Sequence, residues 1–558
     1  MRFLPKSKCF WFLILFLSVA FFLAADEKTD RVDQIFAQWD TTSSPGAALA
    51  IIKDGQIIYE RGYGLAKIED GMIMTPSRIF DIGSVSKQFT AACVAILAKQ
   101  GKISLDDDIR KYFPEMPRYE NPIAIKHLIY HTSGLRDYNG LLELAGFRPE
   151  SDCPNVAEAL EVIRRQKRLN YPSGEEFSYT NTGYFLLGQI VERVSGKSLN
   201  AFAQEYIFKP LAMEHTLYQD DHTQIIKNRA TGYDPTDKGY KIDMSNWDET
   251  GDGNVYTSVE DLYFWDQAFY NNKLGKDLMD MLHTVGTLNN GKKLDYAFGL
   301  RVSEYKGLKI VRHTGSWAGF RAVIVRFPEQ KFSVICLANL SSLNPSDLSL
   351  KVADIYLSDL LQEPSKEEKK KAEPVTLSNQ ELEEKVGHYE EDRFHSWISL
   401  TMKDGQLMMA GMGSHERALV PLSKTAFQVQ DSPDITLEFL PDVKGKPRPA
   451  VLNNFGEEES FNLTKAAPPG RLTPEKLKEY SGDYTSEELL GATYRLVVEN
   501  GSLAVRFRSI PKKPLKAMAP DKFTDGYLSL EFVRGKGHGI AGFKLSIDGA
   551  ADIGFVRK

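Results

Sequence analysis

Apolar positions along this chain recur with two periods, and the changes between them mark out its elements. In "DRVDQIFAQWD" (30–40), Val32, Ile35, Phe36 and Trp39 fall at helical spacing and form a one-sided apolar stripe that must pack on something. Two apolar runs about a Lys-Asp-Gly turn follow in "GAALAIIKDGQIIYERGYGLA" (46–66), a β-hairpin pattern. From Ser84 to about residue 270 the pattern is mostly helical, with long loops such as "GLLELAGFRPESDCPN". Strand-like runs return in "YAFGLRVSEYKGLKIVRHTG", "FRAVIVRFPE" and "KFSVICLANL", followed by a helical stretch, "PSDLSLKVADIYLSDLL". Helices and strands at both ends, enclosing a helical insertion, predict one antiparallel sheet with flanking helices, an α/β fold of the α+β kind.

The pattern changes again at "LQEPSKEEKKKAEPVTLSNQ" (361–380), a charged, proline-flanked run without apolar periodicity that reads as a linker. Beyond it the chain repeats itself. "ELEEKVGHYEED" at 381 resembles "KLKEYSGDYTSE" at 476, "MKDGQLMM" returns as "VENGSLAV", and "LVPLSKTAF" returns as "LKAMAPDKF". Each unit of about 90 residues consists of short alternating strands broken by Gly, Asp or Asn turns, the pattern of a small antiparallel barrel or sandwich. The expected division is 26–362 for the first domain, 363–380 for the linker, and 381–465 and 472–558 for two β-domains joined through "KAAPPGRLTPEK".

Residues 1–25 stand apart from all of this. Arg2, Lys6 and Lys8 precede the apolar run "FWFLILFLSVAFFLAA", the layout of a secretory signal, although Leu23 interrupts the small-residue cleavage pattern. A cleaved signal implies a secreted or periplasmic protein; an uncleaved one implies membrane attachment. Removing the segment takes the formal net charge from -6 to about -9, which argues against a nucleic-acid partner. Losing Cys9 leaves Cys93, Cys153 and Cys336 at wide spacings, neither a disulfide framework nor a zinc pattern, and they read as buried small residues. The remaining composition, 42% hydrophobic and 26% charged, is that of an ordinary globular protein.

The candidate chemistry begins at "DIGSVSKQFTAACVAIL" (81–97). Ser84 and Lys87 are three apart at the start of a helix ended by Gly101, so both can share one face. A serine hydroxyl needs a neighbouring base and donors for the oxyanion formed on attack; a lysine serves as that base only in its neutral form, which burial and nearby positive charge favour. Ser-x-x-Lys alone is weak, since Ser303-x-x-Lys306 and Ser509-x-x-Lys512 also occur, the first at a strand and its turn and the second enclosing Pro511. Two further stretches give it weight. "PSGEEFSYTNTGYFLLGQIVERVSGKSL" contains Tyr179-x-Asn181, and "KIVRHTGSWAGFRAVIV" contains His313-Thr314-Gly315 before a strand. Tyr270-x-Asn272 matches the second pattern without its flanks.

In this order the three motifs resemble the signatures of the serine penicillin-recognising hydrolases, which include class C β-lactamases, D-alanyl-D-alanine carboxypeptidases, D-aminopeptidases and related esterases. "HLIYHTSGLRDY" at 127, "IFKPLAM" at 207 and "GDGNVYTSVEDL" at 251 also look like segments of that family, and the resemblance covers about residues 30 to 360. It implies a β-lactamase/transpeptidase-like antiparallel sheet with flanking helices, followed here by the two β-domains. It also implies Ser84 as the nucleophile that forms an acyl-enzyme, Lys87 as the group that helps deprotonate it, and Tyr179, as phenolate or hydrogen-bonded relay, as general base and acid. Asn181 would donate to the substrate's acyl side chain. Thr314 and Gly315 would line the substrate, and the backbone N–H groups of Ser84 and Ser316 would form the oxyanion hole.

His313 stands where many β-lactamases have lysine; it is expected to titrate near neutrality and to contact the leaving-group side or the substrate carboxylate. This departure resembles the carboxypeptidase and D-aminopeptidase branch more than an efficient β-lactamase. The resemblance implies a small peptide, amide or ester substrate and no cofactor. Amide cleavage in D-amino-acid peptides is the first reading; an esterase, a β-lactamase or a penicillin-binding protein that traps its ligand are the alternatives. In D-aminopeptidases of this architecture a loop from an appended barrel can reach the active site. His127 and His131, four apart on an expected helix, lack a third metal ligand, and His131 reads as a cap. Met408, Met409 and Met412 read as β-domain core rather than a copper site.

Overall fold

The structure, a computed structural model, describes residues 27–148, 151–362, 373–411, 414–441, 449–454, 459–467, 472–508, 510 and 513–558. The N-terminal segment read as a signal or anchor, most of the charged linker, Met412 and the Ser509-x-x-Lys512 pair lie outside them. Among the described residues no helix is long and apolar enough to cross a membrane. The chain divides into two compact units, one of Met1–Asp107 with Tyr184–Glu363 and the other of Asp108–Gly183 with Pro364–Lys558.

The first unit is built on a six-stranded antiparallel sheet of β1 (Ala47–Lys53), β2 (Gln56–Tyr63), β3 (Arg301–Tyr305), β4 (Leu308–Trp317), β5 (Phe320–Phe327) and β6 (Phe332–Ala338), in the order β3-β4-β5-β6-β1-β2. The first two strands are the expected hairpin. Its turn places Asp54 and Gly55 at φ of 50° and 79°, the left-handed pair that a tight hairpin needs. Strands from opposite ends of the chain then join, with Ala47 opposite Ala338, which makes one sheet from sequence-distant runs.

β1, β5 and β6 are buried almost throughout rather than on alternate residues, because helices cover both faces. On one face Val32 and Phe36 of α1 (27–36) pack with Leu49, Ile51, Val323, Val325 and Val334, and Phe36 stacks on Tyr63 at 4.6 Å between centroids. On the other, Asp266 accepts from Arg326 and Ser333, both at 2.8 Å, tying the helix Val259–Asn271 to the sheet. The stretch read as mostly helical also holds the short strands Leu217–Tyr218 and Val255–Thr257, which with Phe80–Asp81 just before it form a separate three-stranded sheet.

The second unit contains the helices Tyr138–Ala145 and Val156–Arg164 and two closed eight-stranded barrels, one from Gly387–Glu391 to Glu459–Lys465 and one from Gly482–Ser486 to Ala550–Arg557. The repeat in sequence is a repeat in structure. A short capped helix precedes each barrel, Asn379–Glu383 after Ser378 and Pro474–Glu479 after Thr473, so the first begins inside the stretch read as linker. In each first strand a tyrosine hydroxyl donates to a carbonyl four residues back, Tyr389 to Lys385 and Tyr484 to Tyr480, both at 2.8 Å. Met409 fills the first barrel's core. Cys93 and Cys336 are buried free thiols as expected; Cys153, in the loop before the helix Val156–Arg164, is exposed instead.

Candidate active site

In the first unit, residues 83–86 form a single 3₁₀ turn that runs into the helix Lys87–Lys99. The turn is set by close backbone approach and one side-chain acceptor. Gly83 has φ of 49°, and its N–H donates to Asp81 Oδ1 at 2.8 Å. A Cβ on Gly83 would lie 2.8 Å from Ser316 N, and one on Gly315 would lie 1.9 Å from Ile82 O and 3.2 Å from Ser84 N. Only glycine permits this approach, which brings the Ser316 end of β4 against the serine turn. Asp81 is fully buried, and burial pushes its carboxyl up to about 7 against the pull of the Gly83 N–H.

Lys87 is fully buried one turn inside Ser84. Its Nζ donates to Ser84 Oγ at 3.0 Å and to the Asp252 carbonyl at 2.7 Å, and it stands 5.7 Å from the Tyr184 ring centroid. The loop carrying Asp252 is fastened to the same helix, since Thr90 donates to Gly251 O at 2.6 Å and Val255 N–H donates to Ser86 Oγ at 3.1 Å. Asp252 contributes through its backbone, so residue chemistry alone did not single it out; the flanking "GDGNVYT" was its only signal. The other described Ser-x-x-Lys has no such setting: Lys306 donates to Asp354 on the surface. Asn272 of the second Tyr-x-Asn pair ends a helix at φ of 56°.

Alternation along β4 separates the third motif into two faces. Thr314 and Ser316 are exposed, whereas His313 and Gly315 are buried. His313 Nδ1 lies 2.6 Å from Thr314 O, an acceptor only, so that nitrogen carries the proton and Nε2 accepts from the Tyr296 hydroxyl at 2.8 Å. Burial lowers its pKa to about 3, and the positive charge of Lys87 acts in the same direction. The expectation of a histidine titrating near neutrality is therefore corrected. It is a neutral ring behind the strand, and the exposed neighbours are Thr314 and Ser316.

Tyr179 and Asn181 belong to the second unit, where side chains hold them. Ser178 N–H donates to His131 O at 2.9 Å and Thr180 N–H to His131 Nδ1 at 3.2 Å, and the His131 ring lies 4.2 Å from the Tyr179 ring. Asp137 accepts from Asn181 N–H at 2.7 Å and from the Thr180 hydroxyl at 3.2 Å. His131 follows the helix Ile125–Ile129 at φ of 54°, while His127 Nδ1 accepts from Ala124 N–H at the helix start. The two histidines thus do not share a helix face, and His131 is a support for the tyrosine loop rather than a cap. The family-like segment "HLIYHTSGLRDY" was the signal for it.

A sheet of this order, with Ser-x-x-Lys entering a helix against a His-Thr-Gly strand, defines a class. A family model described as Beta-lactamase matches residues 32–356, more than half of the chain, and the protein belongs to that family. Its relatives narrow the comparison. "Penicillin-binding protein 4*" of Bacillus subtilis (strain 168) is 30% identical over 315 residues, 53% of this chain and 68% of that one. A D-aminopeptidase of Brucella anthropi is 30% identical over 319 residues, 56% of this chain and 59% of that one, so the match spans about three-fifths of that relative's length. Among solved structures, the octameric penicillin-binding protein homologue from Pyrococcus abyssi has a TM-score of 0.55 at 24% identity, covering 79% of this chain and 99% of its own. SurE has a TM-score of 0.54 at 19% identity, covering 79% and 99% respectively. These structures share the fold.

Proposed function

We propose that this protein is an exported serine hydrolase that cleaves amide bonds in peptides containing D-amino acids, through an acyl-enzyme on Ser84. The observation that carries the reading is the buried Lys87 Nζ 3.0 Å from Ser84 Oγ, in a turn that only glycines allow to meet the Gly315–Ser316 backbone. The preference for D-residues follows the D-aminopeptidase relatives and the histidine in place of lysine in the third motif. Export follows the basic and apolar layout of residues 1–25.

In this reading Ser84 Oγ attacks the amide carbonyl as its proton is taken up through Lys87, with Tyr179 in the general base and acid role that the family resemblance implies, and the Ser84 and Ser316 N–H groups receive the oxyanion. Collapse breaks the C–N bond while Tyr179 returns the proton to the leaving amine. Water then attacks the ester and frees the acid, by the same proton route in reverse. Asn181 and the exposed Thr314 orient the substrate, and His313 stiffens β4 from behind through Tyr296.

The test is release of p-nitroaniline from D- and L-amino-acid anilides, alongside a D-alanyl-D-alanine peptide, by the full chain and by Ser84→Ala. Turnover of D-substrates lost in the variant is the expected result. Turnover of esters or β-lactams alone would move the protein to another branch of the family. Equal activity in Ser84→Ala would sink the mechanism.

A further inference from the structure

The segment 136–138 of the second unit is bolted on two sides. On one side it holds the Tyr179-x-Asn181 motif: Asp137 takes the two bonds from Asn181 N–H and Thr180, and the Thr182 hydroxyl donates to Arg136 O at 2.6 Å and accepts from Tyr138 N–H at 2.8 Å. On the other side it is held by the second barrel. Asp137 N–H donates to Gly549 O at 2.9 Å, and the Arg136 guanidinium donates to Glu488 Oε2 at 2.7 Å and to Asp552 O at 3.1 Å.

Both charges are out of water, with Arg136 1% and Glu488 7% exposed. The carboxylate is satisfied on both oxygens, since Oε1 accepts from Gly554 N–H at 3.2 Å and Oε2 also accepts from Lys167 N–H at 2.9 Å. The last hairpin continues the contact through Asn170, which donates to Gly549 O at 2.9 Å and accepts from Ala551 N–H at 3.0 Å. The first barrel makes a looser tie to the same insertion, Arg393 with Glu176 at 3.2 Å, 24% and 48% exposed.

A buried ion pair adds little net stability over apolar packing, but its directional bonds define one geometry. Geometry is what a proton-relay tyrosine and a substrate-binding asparagine need, because a displacement of about 1 Å can cost about a hundredfold in rate. We propose that the second barrel is a working part of the catalytic apparatus: through Arg136 and Asp137 it fixes the position of Tyr179 and Asn181, with Arg136, Asp137 and Glu488 as positioning residues. This rests on the reading of Tyr179 and Asn181 as reacting and binding groups.

The test uses the full chain with Glu488→Gln, Gly549→Ala and, as control, Glu176→Gln. Gly549 has φ of 77°, and a Cβ there would lie 3.0 Å from Asp137 Cβ, so the second variant disturbs the joint while leaving the ion pair in place. Reactive serine is counted with an activated phosphonate, and kcat and KM are measured on D-alanine p-nitroanilide well below the melting temperature. Expected is an unchanged labelled fraction, with kcat per labelled site down about tenfold or more in Glu488→Gln, KM within about threefold, and Glu176→Gln like the parent. A kcat per labelled site within about twofold of the parent would overturn the positioning role, and if Glu488→Gln does not fold, Gly549→Ala decides by the same readings. A parent chain that neither labels nor turns over would overturn the functional reading itself, and the positioning role with it.

Discussion

The Ser84–Lys87 corner and the Tyr179–Asn181 loop, to which we assign roles in one proposed reaction, are held in different ways. The first is fixed chiefly by close backbone approach at Gly83 and Gly315 and by backbone partners, as where Lys87 is anchored to the Asp252 carbonyl. The second is fixed by side chains, with His131 beneath Tyr179 and Asp137 under Thr180 and Asn181. A corner built from backbone tolerates many neighbouring substitutions and fails at its glycines. A loop built from side chains can fail at a distance, wherever its network ends.

The largest effect expected from this contrast is at the reacting groups of the main-chain corner. Ser84→Ala should lower kcat/KM by about a thousandfold or more while leaving the fold intact, because the turn does not depend on the hydroxyl. Lys87→Met should cost about a hundredfold or more in the acylation rate, read by stopped-flow labelling; an unchanged rate would mean that the buried amine is only structural. Asp137→Ala removes a helix cap as well as the two bonds to the tyrosine loop. Its expected signature is an unfolding free energy lowered by about 1 kcal/mol, together with a roughly tenfold loss of kcat per labelled serine. Loss of stability without loss of kcat would erase the distinction between the two regions.

A further test concerns stability against pH rather than catalysis. Asp81 keeps its proton in the fold up to about 7, whereas the unfolded chain ionises near its ordinary value of 3.8, so this group's stabilising contribution is present in acid and is lost as pH rises through that window. Asp81→Asn removes the dependence while retaining an acceptor for Gly83 N–H. Urea titrations should therefore show the variant gaining on the parent between about pH 4 and pH 7, by up to about 4 kcal/mol. A constant difference across that range would mean that Asp81 is ionised in the fold.

The legibility of the two regions in sequence differs for the same physical reason. Ser84, Lys87 and the hairpin at 47–63 could be read because spacing and period survive in a linear string. The repeat disclosed two β-domains, and strand closure such as Tyr389 opposite Lys465 shows that they are barrels rather than sandwiches. Contributions made through backbone atoms, such as the Asp252 carbonyl, carry no residue-type signal. The titration of His313 was misread because composition does not tell which face of a strand a residue occupies, and burial lowers the pKa expected of an exposed ring. Nor does spacing reveal that Arg136 meets a glutamate at position 488.

The central claim, that Ser84 is a nucleophile, is tested most directly by intact-mass analysis after exposure to an activated phosphonate, followed by peptide mapping. The account predicts one adduct, on the peptide containing Ser84, absent from a folded Ser84→Ala variant. An adduct that persists in that variant, or none on the folded parent chain, would contradict it.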